Sequence, residues 1–207
     1  MKLDVRTPEG NPVERHDASR RIGAALWIVP RYRVIAEDEH TGLGSTLDVE
    51  YDAIEGRFVV RQAGTYSLSG GEITGTELRR VRLAEIVQAA SPHCVAFALD
   101  DEDLFVTAAE LASSEGRMLP TWLTNTLAAA PRRGNLSESA RAEAREARLD
   151  AVQLVYGVAV LTGQPPAKAI ERELNVAPRT AAQWIRAARD AGRLEGLGYP
   201  MGRPARP

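Results

Sequence analysis

The chain has 207 residues, 44% of them hydrophobic and 26% charged, with a formal net charge of −2; this is the composition of a globular protein with apolar residues enough for a core. No window approaches about eighteen uninterrupted apolar residues, which argues against a membrane span, and the single cysteine, Cys94, excludes an internal disulfide and a cysteine zinc cluster. The charge is unevenly spread: residues 1–130 hold 13 Lys and Arg against 20 Asp and Glu, while residues 131–207 hold 13 against 8, which makes the back of the chain the candidate for a polyanionic partner.

In chain order, residues 1–20 are polar, contain Pro8, Gly10 and Pro12, and read as an extended or mobile arm. The start MKLDVRTPEG has no apolar stretch of the secretory kind, so a reducing, cytoplasmic setting is expected. Short strand-like runs follow at Ala25–Val29, Tyr32–Ile35 and Thr46–Tyr51. The last places Leu47, Val49 and Tyr51 on one side and Asp48 and Glu50 on the other. Glu55-Gly56 is a hairpin signal before Arg57–Arg61, and the spacing predicts a meander of three or four antiparallel strands ending at Ser67–Gly71. Helical spacing appears at Leu83, Ile86 and Val87, and further helices are expected over Asp103–Ser113 and Pro120–Ala130. Pro131–Asn135 has turn composition and marks a domain boundary.

The clearest helix runs from Ser137 as cap through residues 138–162, rich in Ala, Arg and Glu and then apolar at Leu149, Val152, Tyr156, Ala159 and Val160. Gly163 and Pro165-Pro166 end it. Two short helices are then expected, from Pro166 to Leu174 and from Pro178 to Ala191. A helix-turn-helix needs one residue in the left-handed conformation between its helices, and asparagine is the residue most tolerant of it after glycine; Asn175 stands there. Ile170, Leu174 and Val176 supply the wedge. On the second helix Ala181, Trp184, Ile185 and Ala188 cluster on one face, with Arg179, Gln183, Arg186 and Arg193 opposite. Arginine pairs bidentately with guanine and glutamine with adenine in the major groove. Arg179, Thr180 and Gln183 are the candidates for base edges, and Lys168, Arg186, Arg189 and Arg193 for phosphates.

The run Ala169-Ile170-Glu171-Arg172-Glu173-Leu174-Asn175-Val176-Ala177-Pro178-Arg179-Thr180-Ala181-Ala182-Gln183-Trp184-Ile185 resembles the helix-turn-helix of many bacterial regulators. With Val155-Tyr156 before it and Ala187-Ala188-Arg189 after it, it is particularly similar to a module of actinobacterial and actinophage proteins. The resemblance covers about residues 149–195 and implies DNA binding. Two positions depart from the pattern: Asn175 replaces the usual turn glycine, and Glu171 stands where alanine is usual, so it must bend outward or find a cation.

Other signals are weaker. His16, His40 and His93 lie far apart with no metal-ligand spacing. Cys94 precedes the apolar run Val95–Ala98 and reads as a buried structural thiol. Asp100–Asp103 lacks the spacing of a calcium loop, and Ser69-Gly70-Gly71 is no phosphate loop because no Gly-Lys-Ser/Thr follows. No enzyme, cofactor or metal is expected. The fold class is α+β: an arm (1–20), a small antiparallel sheet with helices (21–130), an all-α module (131–197) containing the helix-turn-helix (165–193), and a flexible tail (198–207). The expected function is sequence-specific double-stranded DNA binding by a homodimer, with the front module serving oligomerisation, an effector or a protein partner. Transcriptional regulation leads; an adaptor for replication, partition or phage DNA packaging, and a pure protein–protein interaction module, are the alternatives.

Overall fold

Alternation of apolar and polar residues decides the first layer. The computed structural model describes residues 1–23, 26–98, 105–110 and 138–198. Strand β5 (Leu43–Asp52) buries Leu43, Ser45, Leu47, Val49 and Tyr51 on one face, the period-2 pattern of a strand covered on one side. It pairs with β4 (Arg31–Asp38) and β6 (Arg57–Ser67), and β4 pairs in turn with β1 (Lys2–Arg6). The result is an antiparallel sheet of order β1-β4-β5-β6. Its solvent face is laced with charge pairs, Arg33 to Asp48 at 2.7 Å and Arg61 to Glu50 and Asp52 at 3.1 Å each. On the inner face Tyr32 meets Phe58 edge-on, with ring centroids 5.1 Å apart.

A second antiparallel sheet has the order β2-β3-β7-β8, from β2 (Arg20–Ile22), β3 (Leu26–Ile28), β7 (Val95–Ala98) and β8 (Phe105–Thr107). Between β6 and β7 in sequence lie α1 (Gly75–Leu78), with a Thr74–Glu77 capping box, and α2 (Leu83–Ala90), which packs on β4. The architecture is α+β.

Two expectations change here. Residues 2–6 are a strand rather than part of an arm: Leu3 and Val5 alternate with charged neighbours and pack against the core, a pattern the flanking Pro and Gly obscure. Residues 105–107 are a strand rather than helix, because Phe105-Val106-Thr107 finds a ladder on β7, and tertiary pairing overrides weak helical spacing. The helix expected over Pro120–Ala130, the turn at Pro131–Asn135, the Ser137 cap, the acidic run Asp100–Asp103 and most of the tail lie outside the described residues.

Helix α3 (Glu138–Leu161) ties the sheets to the C-terminal helices. Every residue from Ala151 to Thr162 is buried, as suits a stretch that is apolar on every side but for Gln153 and Thr162. It is covered on one side by sheet residues and on the other by α4 (Pro166–Glu173) and α5 (Pro178–Asp190). Gly157 is the point of closest approach: a Cβ there would collide with the Cδ1 of Leu26 on β3 and press on Leu197. The segment after α5 returns to the first sheet. Leu194 and Leu197 are buried, the Tyr51 hydroxyl donates to the Gly196 carbonyl, and the Gly198 amide donates to Gly56 at 3.3 Å. The buried side chains of the front and back halves therefore form one continuous cluster.

Candidate nucleic-acid interface

Three helix ends in the C-terminal region use the same device. At the end of α3, Gly163 has φ +70°, its amide donates to Val160, and the Gln164 amide reaches back to Ala159. At the end of α4, Asn175 has φ +49° and the Val176 amide donates to Glu171 at 3.2 Å. At the end of α5, Gly192 has φ +71° and the Arg193 amide donates to Ala188 at 2.9 Å. A left-handed residue followed by a 6→1 bond is the Schellman ending. Asn175 is the one non-glycine among the described residues with positive φ, and its short polar side chain is what makes that conformation tolerable.

The turn is short, so α4 and α5 pack on each other and on α3. Proline opens each helix, Pro166 in α4 and Pro178 in α5, where its missing N–H costs nothing. Ala169, Ile170, Ala181 and Ala188 are buried, Ile170 completely. Leu174, Val176, Trp184 and Ile185 are partly buried against the same core. Trp184, on the inward face, is only half enclosed. Its indole lies at the border of the core, with the Arg148 guanidinium over the ring at 5.0 Å.

The opposite face of α5 is open. Arg179, Ala182, Gln183, Arg186, Ala187 and Arg189 are all exposed, and Thr180 is half-buried beside them. At roughly 100° per residue, Arg179, Gln183 and Arg186 fall in one narrow stripe, spanning about 10 Å of helix at 1.5 Å per residue. Among the described residues no carboxylate pairs with Arg179, Arg186 or Arg189. Asp190 closes the C-terminal end of the stripe and sets its acidic limit.

Two of the residues assigned to phosphates sit differently. Lys168 is exposed on α4, but its ammonium is 3.3 Å from Glu171, so the unusual glutamate has found its cation. Arg193 is off the stripe altogether. The left-handed Gly192 breaks the helical phase, and the Arg193 side chain turns onto α3, meeting Glu146 at 2.5 Å and Asp150 at 3.3 Å. Burial pushes the Asp150 carboxyl above its usual range, against the pull of Arg193 and with the help of Glu146. Arg193 thus clamps the end of α5 to α3. The 3.6-residue period that groups it with the outward arginines stops at Gly192.

Elsewhere, Cys94 is buried with its thiol pushed well up by burial, as expected of a structural cysteine. Among the described residues no group of three His, Cys, Asp or Glu stands close enough to hold a metal, and no helix is long and apolar enough to cross a membrane. No family model, no characterised protein and no solved structure matches this chain.

Proposed function

We propose that this protein binds double-stranded DNA sequence-specifically, with α5 in the major groove, and that it works as a transcriptional regulator. The observation that carries the reading is the Arg179–Gln183–Arg186 stripe: exposed, free of carboxylate partners among the described residues, and mounted on a helix whose other face is locked into the core. A helix about 10–12 Å across matches the width of a major groove, about 12 Å. Arg179, Thr180 and Gln183 occupy the N-terminal half of α5, the part that reaches bases in this kind of docking. Arg186 and Arg189, further along, reach phosphates, and Lys168 joins them by exchanging Glu171 for a backbone oxygen.

The support beneath the stripe favours readout over loose attraction. Base discrimination needs side chains held in place by rigid elements, and here α3 on one side and the Leu194–Gly198 return on the other fix the orientation of α5. In this reading the sheets present the module and pair two copies, so that two recognition helices meet two half-sites.

Selection of bound duplexes from a random pool, at two salt concentrations, tests the proposal. It should enrich a site containing guanine and adenine steps, in two half-sites roughly 34–36 Å apart or a multiple of that. A pool that shows no enrichment at either salt overturns the reading.

A further inference from the structure

We infer that Arg148, on α3 rather than on the helix-turn-helix itself, is a phosphate contact that holds the DNA strand on the far flank of α5; the inference rests on the DNA-binding reading above. A helix lying in a major groove has a phosphate row on each side. On α5 Arg179 and Gln183 face the groove floor, and Arg186 leans from that stripe towards the Arg189 side. At roughly 100° per residue, Arg189 and Ala182 lie to one side of it, and Thr180, Ala187 and then Trp184 lie to the other. The helix supplies a cation of its own, Arg189, to the first flank only. The second flank of α5 is alanine, threonine and indole.

Arg148 fills that gap. Its guanidinium carbon stands 5.0 Å from the centroid of the Trp184 ring. The residue is half-buried, with its guanidinium beside the indole. Among the described residues it has no carboxylate partner: Glu146 and Asp150, two positions to either side on α3, lie on another face of the helix and meet Arg193. A guanidinium drawn to an aromatic ring still offers N–H donors to an anion at its outer edge. The indole holds the guanidinium beside that flank, and among the described residues its donors meet no carboxylate. A phosphate oxygen on the flank of Thr180 completes the set.

The test uses the full chain and a short fluorescein-labelled duplex of mixed sequence, with affinity measured against salt concentration. Each phosphate contact contributes about 0.9 to the slope of log K against log salt. Arg148→Gln should make the slope shallower by about that amount and weaken binding equally on all sequences, leaving base preference unchanged. Arg148→Lys, which keeps the charge but not the guanidinium, should keep the wild-type slope. Arg148→Met keeps the apolar stem over the indole and serves as the neutral variant should the Gln variant melt early. A residue that only packs against Trp184 would move the melting temperature and not the slope. A wild-type slope in whichever neutral variant melts like the wild type overturns the inference while leaving the DNA reading in place. Absence of salt-dependent binding by the wild-type chain overturns both.

Discussion

Asn175 gives the sharpest test of how the helix-turn-helix is built. Its φ of +49° lies where a side chain with a Cβ crowds the following carbonyl. The left-handed conformation costs an ordinary L-residue about 1–2 kcal/mol, and asparagine recovers part of that through its local hydrogen bonding. Asn175→Ala should therefore destabilise by about 1 kcal/mol. For a chain of this size, that corresponds to a fall in melting temperature of about 2–4 °C. Asn175→Gly removes the crowding but adds backbone freedom to the unfolded chain, about 0.5–1 kcal/mol, so the two effects offset and the melt should stay near the wild type. Asn175→Val, β-branched, should be the worst of the three. Thermal unfolding followed by far-ultraviolet circular dichroism resolves the order. If the Gly variant melts as low as the Ala variant, the turn does not depend on a left-handed residue and the reasoning fails.

Three further outcomes follow from the same geometry. Arg179→Ala or Gln183→Ala should relax base preference at a single position of the selected site, at about 1–3 kcal/mol each; identical selected sequences from the variants would reject their placement. Trp184→Ala should cost less than the about 3–5 kcal/mol of a fully buried aromatic, because the indole is only half enclosed, and a calorimetric loss at the top of that range would contradict this. Arg193→Ala should lower the melting temperature by releasing Glu146 and Asp150, yet leave the salt slope of DNA binding unchanged; a shallower slope would return Arg193 to the phosphate contacts.

Much of the C-terminal region is legible in the sequence because its signals are local. Gly163, Asn175, Pro166 and Pro178 each encode one backbone event, and the structure places each event where the residue type requires it. The two faces of α5 follow from a 3.6-residue period that holds for as long as the helix does. What the sequence hides is non-local. Arg148 sits 36 positions before Trp184, and nothing in the chain's spacing announces that one will cover the other. Arg193 turns onto α3 because one glycine ends the period. Strand β1 was hidden for a related reason: Leu3 and Val5 are too few to signal a strand until β4 offers them a partner. The continuity of the core from the sheets to α5 likewise depends on Gly157, whose role is visible only once Leu26 is seen against it.

The account stands on the open face of α5, and one titration addresses it directly. The selected duplex is titrated with the wild-type chain and with a variant carrying Arg179→Ala, Gln183→Ala and Arg186→Ala together, alongside a scrambled duplex, by fluorescence anisotropy. The account predicts tighter binding of the selected duplex by the wild type, and equal, weak binding of both duplexes by the variant at an unchanged melting temperature. Undiminished discrimination by the folded variant would contradict it.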